Sequence, residues 1–195
     1  MNDSIAPSPA AAQAEADTRR WLERAVIGLN LCPFAKAVSV KGQVHYAVCD
    51  AADDAELMVQ LMDEAKALAA LTPAERDTTL LIAPNALPDF LDFNDFTARA
   101  ERLLARRGYE GVFQLASFHP AFQFAGSDAD DITNATNRTP YPTLHLLRED
   151  SVSIAVDAFP DADAIYERNI RTLEALGPKG WAALDVGPGS ANNPP

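Results

Sequence analysis

Residues 43–83, QVHYAVCDAADDAELMVQLMDEAKALAALTPAERDTTLLIA, decide the fold class of this chain. Val44, Tyr46 and Val48 alternate with His45, Ala47 and Cys49, which is the period of a strand over residues 43–49. Leu57, Met58, Leu61, Met62, Ala65 and Leu68 then recur at helical spacing over residues 53–70. Asp53 is placed to cap that helix, with Glu56 three residues on as an acid-led capping box. Residues 78–83, TTLLIA, form a short apolar run consistent with a buried strand. Strand, amphipathic helix and strand in succession predict a crossover unit and an α/β sheet.

The same pattern continues on both sides. Upstream, Trp21, Leu22, Ala25, Val26 and Leu29 share one face of a helix expected over residues 14–30, and Cys32-Pro33 ends it. Downstream, Phe93, Phe96, Ala100, Leu103 and Leu104 mark a helix over 93–107, with Gly108 as its C-cap. Strands follow at 112–118 and 143–147. A short helix is expected over 151–158 and another over 163–176, where Gly177-Pro178 stops it. The expectation is a single α/β (or α+β) domain over residues 13–185, with a small sheet of about four strands and about four to five helices around it. Strand order stays open, and a ferredoxin-like or other small α/β sandwich fits. Residues 1–12, rich in Ala and Pro, and 186–195, rich in Gly, Pro and Asn, read as disordered tails.

Composition narrows the partners. The chain has 195 residues, a hydrophobic share of 48% and a net charge of −12. That charge argues against nucleic acid, which needs a basic face, and against an anionic membrane surface. A few local arginines still suffice for an anionic small molecule. No run approaches the ~20 apolar residues of a membrane span, and no secretory signal is visible. The two cysteines, Cys32 and Cys49, form no CxxC pair and are expected as reduced thiols in a cytoplasmic protein. The glycosylation patterns at Asn134 and Asn137 are then chance matches.

Residues 117–149, SFHPAFQFAGSDADDITNATNRTPYPTLHLLRE, hold most of the candidate chemistry. Most of the segment follows neither hydrophobic period. Loops beyond about 12–15 residues are seldom kept in a compact domain without a role. His119 stands just past a strand end, where ligands bind in open α/β sheets. It reads as a general acid/base or a metal ligand, or as a capping histidine that bonds the loop backbone. His145 lies in a strand, as a catalytic base or a satisfied core histidine. Arg138 offers a planar fork for an anionic substrate, stiffened by Pro140 and Pro142. Asn134, Gln123, Tyr141 and Arg148 are further candidate substrate contacts, and Asn137 a candidate oxyanion donor or orienter. The plainer reading is an ordinary loop with Asn-based turns and an Arg148–Glu149 pair. Asp128–Asp131 lacks the glycine and terminal glutamate of a calcium loop, so Asp130 or Asp131 reads as a cap.

Cys32 precedes a proline that can open a helical turn. A thiol at a helix N-terminus is stabilised as the thiolate, and Lys36 stands nearby in sequence. The alternative is a buried, inert cysteine. Cys49 reads as structural and His45 as structural or exposed.

The segments Leu29-Asn30-Leu31-Cys32-Pro33-Phe34-Ala35, Ser117-Phe118-His119-Pro120, Gln123-Phe124-Ala125-Gly126, Thr136-Asn137-Arg138-Thr139-Pro140-Tyr141-Pro142 and Leu144-His145-Leu146-Leu147-Arg148-Glu149 occur in the order of a bacterial family. Over residues 16–180 the chain resembles this family, domain of unknown function 1415. The resemblance implies a single cytoplasmic domain and carries over no catalytic residue.

The leading expectation is therefore a small-molecule enzyme, a hydrolase or transferase, with Cys32 as nucleophile, His119 or His145 as base, Asn137 as orienter and Arg138 as anchor. A metal-dependent enzyme using His119 and His145 is the second; Cys32, His119 and His145 together could hold a transition metal, although their spacing matches no local metal signature. A non-catalytic module that binds a ligand or a protein is the third. No GxGxxG, Walker-type or HExxH motif points to a cofactor, which stays unknown.

Overall fold

The computed structural model describes residues 8–159 and 164–189. Helix α1 (Pro9–Trp21) winds on into a π-helical stretch, Leu22–Ile27, and is followed by α2 (Ala35–Val40), β1 (Val44–Val48), α3 (Asp54–Ala69) and β2 (Thr78–Ile82). Then come α4 (Phe90–Leu104), β3 (Phe113–Phe118), a 3-10 turn at Ile132–Asn137, β4 (Thr143–Arg148), α5 (Glu149–Asp157) and α6 (Ala164–Ala183).

One four-stranded sheet has the order β1-β2-β4-β3. Strands β1 and β2 are parallel, joined by α3 as the crossover. Strand β4 runs antiparallel to both β2 and β3, between them. The fold is the expected mixed one, with a single small sheet and flanking helices. Its β-α-β-α-β-β connectivity differs from the ferredoxin-like alternation. The long segment after β3 is what carries the chain back to insert β4 into the middle.

Helix α3 forms where its pattern requires. The Asp53 carboxylate accepts the Glu56 amide at 2.8 Å and starts it. Leu57, Leu61, Ala65 and Leu68 lie on one face with no exposed surface. Each of those leucines contributes roughly 1.5–3 kcal/mol by leaving water. They meet Leu81, Leu144, Leu146 and the α4 stripe Phe93, Phe96, Ala100 and Leu104 in the main core. All five residues of β2 are buried, as a strand covered on both faces should be.

Several boundaries move. Helix α1 starts at Pro9, because Ser8 caps it through the Ala11 amide at 3.0 Å and proline is pre-set for the first turn. Residues 9–12 of the expected N-terminal tail are thus helical, with Ala11 buried. At the other end Val186, in the expected C-terminal tail, is buried. Residues 1–7 and 190–195 of the two expected tails lie outside the described residues. Gly177, at φ 64°, breaks α6 as expected, but helix resumes after Pro178 to Ala183. Among the described residues no helix is long and apolar enough to cross a membrane.

Candidate functional site

The second face of the sheet is covered less tightly. Trp21, Leu22, Ala25 and Val26 pack there against Val44, Tyr46 and Phe118, with Cys32 and Ala35 at the edge. The wider turn of the π-helical stretch stacks Val26 under Trp21 and Leu22 on this face. Trp21 meets Phe118 edge-on, with ring centroids 5.3 Å apart. Helices α2 and α5 have no buried residue, because they border an opening rather than a packed core. Between them, the sheet and the π-helical stretch lies a cleft of about 290 Å³. Its floor is Val44, Leu80, Ala116, Phe118, His145 and Leu147, and its walls include Cys32, Phe34, Val38, Val152 and Ala155. Apart from His145, the lining is apolar except at one end, where Asp77, Thr78, Gln114, Arg148 and Ser151 stand.

His145 is the polar group on the floor. Its Nε2 lies 2.6 Å from the Thr78 hydroxyl oxygen, which lies 2.6 Å from the Leu146 carbonyl. That hydroxyl has one proton, and the carbonyl takes it. Thr78 therefore accepts from Nε2–H, which fixes the neutral tautomer and leaves Nδ1 an acceptor. Nδ1 has no hydrogen-bond partner among the described residues, and the ring lines the cleft. Burial with no compensating charge pushes the imidazole down to about 4.

Cys32 lines the same cleft, half-buried and unpaired. Its thiol forms no hydrogen bond to either imidazole among the described residues. Helix α2 is six residues long and begins three residues on, with Phe34 as its cap. Only the Cys32 carbonyl takes part, accepting from the Ala35 amide at 3.3 Å. The expected stabilisation of a thiolate by a helix N-terminus is thus not built here.

His119 lies on the opposite side of the sheet, 1% exposed, against Phe90 and Phe93 at 5.4 and 5.1 Å. Its Nδ1 accepts the Ala121 amide at 3.0 Å, so Nε2–H donates to the Leu87 carbonyl at 3.1 Å. Burial lowers its pKa. Both ring nitrogens of this acid/base or metal-ligand candidate are committed to backbone. His119 pins the loop onto α4. On opposite faces, His119 and His145 cannot share an ion, and no group of three or more His, Cys, Asp or Glu among the described residues is placed to hold one.

Much of the rest of the polar segment is spent on its own backbone, and Tyr141 and Arg148 tie it to other elements. Asn134, fully buried, accepts from the Phe124 amide at 2.9 Å and Ser127 at 2.8 Å, and donates to the Asp128 carbonyl at 2.8 Å. Gln123 donates to the Ser127 carbonyl at 2.5 Å. Arg138 donates to the Phe122 and Ala129 carbonyls at 3.0 and 2.6 Å. Asn137 accepts the His119 amide through its carbonyl at 3.1 Å and donates weakly to the Ser117 carbonyl at 3.4 Å. Asp131 caps the 3-10 turn through Thr133. Tyr141 donates to Asp17 at 2.8 Å. Arg148 borders the cleft, yet its guanidinium donates to the Leu68, Leu71 and Arg76 carbonyls and closes the end of α3 rather than pairing with Glu149. In the structure Asn134, Gln123, Arg138, Tyr141, Arg148 and Asn137, the expected substrate contacts and orienter, thus all hold other parts of the chain.

Two residues escaped the sequence reading. In sequence Thr78 reads only as part of a strand, and Asp17 only as a helix residue. Asp17 has no exposed surface and sits on the stripe Ala14, Thr18, Trp21 and Leu22. An acid on an apolar stripe was the available signal.

The family model described as "Protein of unknown function (DUF1415)" matches residues 13–183, and the chain belongs to that family. No curated protein and no solved structure matches the chain.

Proposed function

We propose that this family member binds a small, largely apolar molecule in the cleft between the sheet and α1, α2 and α5. The observation that carries this reading is an apolar cleft of about 290 Å³ lined by His145, whose Nδ1 has no partner among the described residues. A cavity of about 150 Å³ already suffices to hold benzene. A few convergent polar groups in an apolar pocket are the usual form of a small-molecule site. The net charge of −12 supports a small molecule over nucleic acid as the partner. The unpaired Cys32 and Cys49 support a reducing, cytoplasmic setting.

The test uses N-phenyl-1-naphthylamine, a neutral probe that brightens in apolar sites. The expected result is a bright, saturable complex with the full chain. Ala116→Leu, which fills the floor beside His145, lowers the affinity at least tenfold while circular dichroism shows the fold intact. Ala35→Leu serves if that variant does not fold. Equal affinity in a folded variant would remove the cleft as the binding site.

A second reading, a hydrolase or transferase, is favoured by Cys32 lining the same cleft. There Cys32 would attack and His145 would take the thiol proton. A general base works best with a pKa near the working pH, and at about 4 His145 falls well short. That disparity places binding first. The enzymatic reading requires iodoacetamide to alkylate Cys32 more slowly in His145→Gln than in the native chain. Equal rates leave binding alone.

A further inference from the structure

The polar end of the cleft carries a charge that the protein does not pair. Asp77 and Arg148 are the formally charged side chains among the described residues that line the cleft. They point different ways. Leu144 and Leu146 belong to the main core, and strand alternation carries Arg148 to that same side of β4. Its guanidinium lies 6.0 Å from the ring of Phe113, a residue of that core, and donates to the Leu68, Leu71 and Arg76 carbonyls. Asp77 instead meets α5, which walls the cleft. Its Oδ1 accepts from the Ser151 hydroxyl at 2.6 Å. This half-buried carboxylate has no ion pair and no second side-chain donor among the described residues. The hydroxyl protons at that end are spent, Thr78 on the Leu146 carbonyl and Ser151 on Asp77. An anion therefore meets no free cation there, and an ion that leaves water without a counter-charge is strongly disfavoured. A cation meets an unpaired carboxylate.

We infer that the molecule taken by the cleft is an apolar amine: a hydrocarbon body in the apolar part, with an ammonium group against the Asp77 carboxylate at the polar end. This inference rests on the cleft being a ligand site at all. It adds the charge and the chemical class. A hydroxyl in the same place would also donate to the carboxylate. An ammonium adds Coulombic attraction to that hydrogen bond, and the partial exclusion of water strengthens it. The net charge of −12 also draws cations toward the chain as a whole, so a test must separate that general attraction from a site.

Four probes of similar size separate the possibilities: phenethylammonium, phenethyl alcohol, propylbenzene and phenylacetate, each titrated into the full-length ¹⁵N-labelled chain. The expected result is that phenethylammonium binds at least about threefold tighter than the alcohol, the scale of a partly exposed ion pair. It moves the amide signals of Asp77, Ala116 and Leu147 together. In Asp77→Asn, which keeps an acceptor for Ser151, that preference is lost while the alcohol binds as before. If the variant does not fold, the native chain decides: the preference for ammonium over alcohol must shrink as salt rises to about 0.5 M. A preference that survives Asp77→Asn or high salt overturns the amine assignment. So does equal or tighter binding of the alcohol, the hydrocarbon or phenylacetate, and each of these leaves the cleft a ligand site. An ammonium that moves only signals outside the cleft, while the alcohol moves those inside, overturns it too. If none of the four moves a cleft signal, the cleft reading itself fails, and the assignment with it.

Discussion

Asp17→Ala will cost the fold about 3–5 kcal/mol, the range for removing one partner of a buried charge network. Asp17 Oδ1 accepts from Arg20 at 2.6 Å and Gln13 at 2.8 Å. Its Oδ2 accepts from the Tyr141 hydroxyl and the Gly189 amide, both at 2.8 Å. One carboxylate thus ties α1 to the turn that feeds β4 and to the segment beyond α6. The variant leaves Arg20, only 10% exposed, with the Asp185 and Gly187 carbonyls as acceptors but no carboxylate, and orphans three further donors. Burial by itself raises the carboxyl pKa, but the donors from Gly189, Arg20, Tyr141 and Gln13 outweigh it and the net shift is downward. A depressed folded-state value means this stability is complete above the unfolded value of 3.8 and is lost as pH falls through the lower folded one. Urea denaturation at neutral pH measures the difference. A change below about 1 kcal/mol would show that the network adds little to the fold.

The second large effect is a pH dependence set by His145. Folded, its pKa falls from 6.5 to about 4 because burial disfavours the imidazolium. Unfolded, it binds a proton below 6.5. Between those values the unfolded chain holds more protons, so stability falls as pH drops and levels off below about 4. At about 1.4 kcal/mol per pH unit the loss reaches on the order of 3 kcal/mol. His145→Gln removes this dependence, so native and variant chains differ in urea stability far more at pH 7 than at pH 4.5. Directly, the His145 ring signals should stay constant above pH 5.5. A midpoint near 6.5 would mean the imidazole is hydrated, and the cleft wetter than its lining implies.

Much of the fold is legible in the residues. The alternation at Val44–Val48, the Asp53 cap and the four-residue steps of Leu57, Leu61 and Ala65 are local signals, and local physics decides them. The position of β4 is not local. Its pairing with β2 and β3 depends on which strand edges remain free after α3 and α4 have packed, and no spacing in the sequence encodes that. Helix α1 begins early because Ser8 and Pro9 form a start signal inside an alanine-rich stretch that otherwise resembles a tail.

The site is legible only in part. Cys32 and His145 are both candidates in the sequence, and both line one cleft. His119 and His145 cannot be separated by sequence, since each adjoins a strand. What separates them is partnership: backbone takes both nitrogens of His119, and Thr78 takes one of His145. The polar residues around Asn134 and Arg138 mark a demanding loop whose carbonyls and amides need partners, and a sequence does not say whether a side chain serves the loop or a ligand.

The central claim is the location of the ligand site, and intermolecular nuclear Overhauser effects with bound N-phenyl-1-naphthylamine test it most directly. Contacts to Val38, Ala116, Phe118 and Leu147 are the expected result. Contacts confined to the loop around His119, or to the charged depression between Asp54 and Arg99 on the other side of the sheet, would contradict it.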